Sequence, residues 1–168
     1  MKKLYIIRHA KSSWKDLEID DFDRPLNKRG KQNAPFMGEK LKEKEIMPDM
    51  IISSPALRAK TTAEIIAKKM NYTKEVFFNQ DLYEADATTL HNILSKIDNE
   101  NSVVFLIGHN PELNMLAEIY VGFDENIPTC GVLEVEFNCD RWIDIGANNA
   151  RLVSFDYPKR YNEVKTDI

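Results

Sequence analysis

Leu4-Tyr5-Ile6-Ile7 runs straight into Arg8-His9, and Val103-Val104-Phe105-Leu106-Ile107 runs into Gly108-His109. Each is a short, continuous apolar run rich in β-branched residues, which reads as a strand buried on both faces. Met50 to Ser53 and Val76 to Phe78 read as two more strands between them. Helical spacing fills the gaps. Ala34, Met37 and Leu41 share one face, with Pro35 expected to kink that helix or delay its start. Ser54-Pro55 reads as an N-cap followed by proline at the first helical position, with Leu57, Ile65 and Ile66 inward and an end near Met70. Asp86 caps a helix carrying Leu90, Ile93, Leu94 and Ile97. Asn110-Pro111 repeats the cap-plus-proline start before Leu113, Leu116, Ala117 and Tyr120.

The C-terminal part differs. Val132 to Phe137 alternates, a turn lies near Asn138 to Asp140, and Trp142 to Ile145 reads as the returning strand of a hairpin. A last strand covers Leu152 to Phe155, and the tail from Tyr157 carries Lys159, Arg160 and Lys165. Strands alternating with helices predict an α/β fold with a mainly parallel sheet. No repeat, low-complexity tract or linker interrupts residues 1–168, so a single domain is expected.

Composition removes several classes. The net charge of −4 lacks the basic surplus of a nucleic-acid binder. No apolar run reaches the length of a membrane helix, and Leu4 to Ile7 is too short for a signal-peptide core, so a cytoplasmic protein is expected. Cys130 and Cys139 make neither a disulfide framework nor a zinc site and read as free, inert thiols. No GxxxxGK or GxGxxG is present. Asp21-Phe22-Asp23 lacks the preceding apolar strand of an aspartate-nucleophile motif, and the acids of this loop read as solvated.

Ligands of an open parallel sheet bind beyond the carboxyl ends of its strands. The residues found there are Arg8 and His9, Arg58, Glu84, and His109. Of the three histidines, only His91 falls elsewhere, on a helix, with no catalytic role expected. Guanidinium groups match phosphate oxygens, and a helix N-terminus beside Arg58 favours an anion. A histidine can attack phosphorus when one ring nitrogen is unprotonated. Nearby arginines disfavour imidazolium, and a backbone carbonyl on the other nitrogen would fix the tautomer of His9.

The same residues carry a family likeness. Ile6-Ile7-Arg8-His9-Ala10, Asp23-Arg24-Pro25-Leu26-Asn27-Lys28-Arg29-Gly30, Ser53 to Thr62 and Gly108-His109-Asn110-Pro111 resemble, in order, the motifs of the histidine phosphatase superfamily. The likeness spans roughly Lys3 to Tyr120, and the Arg-His-Ala-Lys-Ser start is most similar to the small bacterial phosphohistidine phosphatases. Ala10 stands where the family more usually has glycine. The resemblance implies a three-layer α/β/α, phosphoglycerate-mutase-like fold and a phosphatase that phosphorylates His9 transiently. It implies that Arg8, Arg58 and His109 bind the phosphoryl group, that Arg24 borders the pocket, and that Glu84 donates the leaving-group proton. It implies no metal and no organic cofactor. The expected partner is a phosphorylated protein, phosphohistidine first, or a small phosphorylated substrate. A small-molecule phosphomonoesterase or mutase, with Lys11 and Lys15 as extra basic residues, and a non-catalytic phospho-ligand module stay open as alternatives.

Overall fold

The computed structural model describes residues 1–161. Its strands are β1 (Lys2–Arg8), β2 (Met50–Ser53), β3 (Val76–Phe78), β4 (Val103–Gly108), β5 (Val132–Phe137) and β6 (Ala150–Asp156). Its long helices are α1 (Lys28–Glu43), α2 (Leu57–Lys69), α3 (Ala87–Ser95) and α4 (Glu112–Val121). The six strands form one sheet in the order β3-β2-β4-β1-β5-β6. The β3-β2-β4-β1 part is parallel, while β5 runs antiparallel to β1 and β6 antiparallel to β5.

Alternation of side chains along the strands builds two cores. Leu4, Ile6, Val104 and Leu106 face Leu90 and Leu94 of α3 and Leu113 and Leu116 of α4. Tyr5, Ile7, Phe105 and Ile107 face Ala34 and Met37 of α1 and Ala63 and Ile66 of α2. Helices on both faces explain why β1 and β4 are apolar without interruption, and they give the expected three layers. Among the described residues no helix is long and apolar enough to cross a membrane.

Several local expectations need correction. Helix α1 starts at Lys28, where Asn27 accepts the Gly30 amide, and continues through Pro35 without delay. Helix α2 starts later than Ser54, with Ala56 at the cap position, and Leu57 is 38% exposed rather than inward. Helix α4 begins after Pro111, and Asn110 accepts the amide of Asn114 instead. The partner of β5 is β6, not Trp142 to Ile145. Trp142 lies in a 3-10 turn, fully buried, with its indole N–H on the Asn101 carbonyl at 2.7 Å. Asp86 caps α3 as expected, accepting the Thr89 amide at 2.8 Å. Cys130 and Cys139 are free, and burial pushes the Cys130 thiol up to about 12. Tyr157 to Tyr161 pack back on the body through Tyr161, whose hydroxyl donates to Asp156; Lys165 lies outside the described residues.

Candidate active site

The register of β1 on β4 pairs Arg8 with Gly108, so the next residues, His9 and His109, leave the sheet side by side. The His9 amide donates to the Gly108 carbonyl at 3.1 Å, and the two imidazole centroids are 5.2 Å apart. Both side chains are buried. The start of β5 pins this strand end from the other side. Cys130, in the left-handed region at φ 62°, sends its amide to the carbonyls of Arg8 and His9 at 3.1 and 3.0 Å.

The tautomer of His9 follows from one contact. Its Nδ1 lies 2.7 Å from the Ala10 carbonyl. A carbonyl only accepts, so Nδ1 carries the hydrogen and Nε2 presents a lone pair. Burial pushes the His9 pKa down to about 3, with His109, Arg58 and Arg8 adding to it and the Ala10 carbonyl opposing. The arginines act in the expected direction, but burial is the larger cause.

The loop that supplies this carbonyl is held on two sides. The Ala10 amide donates to Thr62 Oγ1 at 3.0 Å, and the Thr62 hydroxyl donates to the Arg58 carbonyl at 2.7 Å. Thr62 therefore links the segment after His9 to the helix that carries Arg58. On the other side, Gly30 comes so close that a Cβ there would sit 2.1 Å from the Lys11 carbonyl oxygen. Ala10 itself is fully buried.

Arg58, in the first turn of α2, is buried and donates from Nη1 to the Asp21 carbonyl at 2.6 Å and from Nη2 to its carboxylate at 3.0 Å. Asp21 also accepts from Arg24 Nε at 3.0 Å and from the Tyr83 hydroxyl at 2.7 Å. Its side chain is 48% exposed, yet it is not a merely solvated loop acid. Burial opposes its ionisation, but the Tyr83 hydroxyl, Arg24 and Arg58 outweigh this and hold its carboxyl down to about 2. Arg24 is brought to the site with its guanidinium engaged: Nη1 donates to Ser12 Oγ at 2.6 Å, and the group stacks on Trp14 at 3.5 Å.

His109 Nε2 lies 2.8 Å from Ser54 Oγ, so the serine expected as a helix cap belongs to this site. Burial and Arg58 push the His109 pKa down to about 4, against the pull of Asp21. Glu84 is exposed, stands at φ 56°, and lines a cavity of about 290 Å³ with Asp21, Arg58, Tyr83 and His109. A non-glycine residue in the left-handed region costs of order 1 kcal/mol and persists where the surroundings hold it. Glu112, not singled out in the sequence, lines the same cavity; it is buried, and burial raises its carboxyl pKa. The available signal was its place in the first turn of the helix after His109. His91 lies apart, with Nδ1 2.7 Å from the Tyr120 hydroxyl.

Three buried side-chain nitrogens or oxygens lack a protein partner among the described residues: Arg8 Nε, Arg58 Nε and His109 Nδ1. Buried polar atoms are normally satisfied, and each orphan costs about 1–3 kcal/mol. All three belong to residues whose charge or ring acts on His9. The arrangement can hold a tetrahedral anion against a neutral imidazole. Among the described residues no cluster of three or more His, Cys, Asp or Glu side chains is placed to hold a metal ion.

Known proteins resemble this chain in sequence and in fold. A chloroplastic protein of Arabidopsis thaliana is 29% identical over 150 residues, covering 84% of this chain and 69% of that protein. The structure of SixA from Agrobacterium tumefaciens superposes with a TM-score of 0.81 at 26% identity, covering 94% of this chain and 98% of that one. The protein histidine phosphatase SixA in complex with tungstate gives a TM-score of 0.81 at 20% identity, covering 95% and 99%. Residues 4–104 match the family described as histidine phosphatase superfamily, branch 1. The chain belongs to the histidine phosphatase superfamily.

Proposed function

We propose that the chain is a metal-independent phosphatase that works through a phosphohistidine on His9, with phosphohistidine of a protein as its substrate. The observation that carries this is the set of unpartnered buried polar atoms, Arg8 Nε, Arg58 Nε and His109 Nδ1, on the residues whose charge or ring acts on His9, together with the Nε2 lone pair that the His9 tautomer presents. In the first step Nε2 forms a bond to phosphorus while the bond to the leaving nitrogen or oxygen breaks. Arg8, Arg58 and His109 bind the phosphoryl oxygens, where charge stabilisation supplies most of the catalysis. Glu84 gives the leaving group its proton. Water then attacks phosphorus, giving a proton back to the Glu84 carboxylate, and the Nε2–P bond breaks to free phosphate and His9. Arg24 acts one step back, holding Asp21 against Arg58.

The protein phosphohistidine substrate is supported by the fold shared with SixA, a protein histidine phosphatase, and by the exposure of Asp21 and Glu84 at the cavity. Initial rates on a phosphohistidine protein, free phosphohistidine and a panel of sugar phosphates, with product analysis, test it. Fastest release of free phosphate from the protein is expected. A strong sugar-phosphate preference, or isomerised product in place of free phosphate, would overturn the substrate or the reaction.

A further inference from the structure

A second cleft, of about 260 Å³, is lined in part by Arg8. Arg8 is common to the phosphoryl site and the cleft, and its Nη1 is fixed on the Ile127 carbonyl at 3.0 Å. The cleft is lined by Arg8, Lys11, Arg29 and Lys159, with no carboxylate lining it among the described residues. That concentration stands out on a chain of net charge −4. Lys11, Arg29 and Lys159 form no ion pair or side-chain hydrogen bond among the described residues, and all three are exposed. Arg29 sits in the first turn of α1, which holds no acidic residue. A cation there opposes the helix dipole, so helix stability does not account for it.

The cleft is built onto the site rather than merely near it. Lys11 follows Ala10, and its carbonyl accepts the Asn27 amide at 3.0 Å beside the close approach of Gly30. Asn126, also lining the cleft, accepts from Asn110 and Asn114 at 3.3 and 3.0 Å, and Asn110 follows His109. Two lining segments are thus fastened to the residues next to the two histidines.

We propose that this cleft is a second subsite that takes the carboxylates of an acidic polypeptide segment flanking the phosphorylated residue. It rests on the phosphatase reading and narrows the substrate to an acidic phosphoprotein. Bidentate recognition of a fixed second phosphate favours preorganised guanidinium forks. Here the free cations are exposed and two are flexible lysines, which suits carboxylates at variable positions. Asn33 and Thr129 supply neutral hydrogen-bonding groups for a main chain, and Tyr157 and Pro158 an apolar face.

The test compares two fluorescent peptides, each with one phosphohistidine, flanked either by glutamates or by alanines. The wild type should favour the glutamate peptide about tenfold in kcat/KM, the size that a few exposed ion pairs give together. The preference should collapse toward unity in K11Q/R29Q/K159Q and in high salt. A Lys68→Gln/Lys69→Gln control on α2 should keep it. A wild type without preference, or a triple variant that retains it, overturns the proposal. A triple variant that loses turnover only on a small bisphosphate also overturns it, in favour of a metabolite subsite. Single variants replace the triple if it fails to fold by circular dichroism. If neither peptide is turned over, the phosphatase reading fails. Anisotropy with the unphosphorylated glutamate peptide then decides the cleft: binding lost in the triple variant supports it, and no binding sinks it.

Discussion

Thr62→Val removes one buried hydroxyl and nothing else of comparable size. The native hydroxyl accepts from the Ala10 amide at 3.0 Å and donates to the Arg58 carbonyl at 2.7 Å, in a position with no solvent exposure. Valine has the same branched shape, so no cavity opens, but the buried Ala10 N–H loses its acceptor. An orphaned buried donor costs about 1–3 kcal/mol, and we expect ~2 kcal/mol here. For a chain of this size that lowers Tm by roughly 4–8 °C, measured by thermal or urea unfolding. The Ala10 carbonyl, which fixes the His9 tautomer, belongs to the same residue. Its displacement should reduce kcat roughly 10- to 100-fold on a small phosphoramidate. Thr62→Ser keeps the hydroxyl and loses a methyl, which costs about 1 kcal/mol and leaves kcat within about threefold. If the valine variant matches the serine variant in both stability and kcat, the link from Thr62 to His9 is refuted.

The folded pKa values of about 3 for His9 and about 4 for His109 place the acid limb of kcat/KM well below the ordinary imidazole range. An acid limb near pH 6.5 on a substrate that does not titrate there would contradict the buried, neutral His9. Stability carries the same sign. Unfolded imidazoles take protons below about pH 6.5 while these two stay neutral, so stability falls as pH drops from there toward 3. Urea midpoints from pH 7.5 to 4.5 should fall less for His9→Gln than for the wild type. Gly30→Ala would place a methyl 2.1 Å from the Lys11 carbonyl oxygen and must push the loop after His9. We expect a loss of about 1–3 kcal/mol in urea unfolding together with a reduced kcat; wild-type behaviour in both would show that the approach is loose. Glu84→Gln should slow poor leaving groups such as alkyl phosphates about 100-fold and spare those that leave readily, read as a steepened dependence on leaving-group pKa; an unchanged slope removes Glu84 as proton donor.

The apolar runs ending in Arg8-His9 and Gly108-His109 made the centre of the fold readable, because a strand buried on both faces leaves little choice of residue. The sheet then brings Arg8, His9 and His109 together by register alone. What was hidden depends on contacts between distant segments. Ser54 fits the rules for a helix cap, yet its hydroxyl meets His109, fifty-five positions away. Asp21 sits in a stretch of acids that resembles any solvated loop; only the folded chain shows Arg58, Arg24 and Tyr83 converging on it. Trp142 to Ile145 alternates like a strand, but the tryptophan fills the core from a 3-10 turn, and the pairing passes to β6, whose Leu152 and Val153 are exposed. Pro35 usually breaks or kinks a helix, whereas the packing of Ala34, Met37 and Leu41 carries α1 past it.

The central claim is that His9 Nε2 becomes phosphorylated. The direct measurement is mass spectrometry and NMR of enzyme mixed with a phosphoryl donor and quenched in alkali, where a phosphoramidate survives. The account predicts one phosphoryl group, on His9 at Nε2, formed and consumed at rates that match turnover and absent from His9→Gln. A phosphoryl group on another residue, or undiminished turnover in His9→Gln, would contradict it.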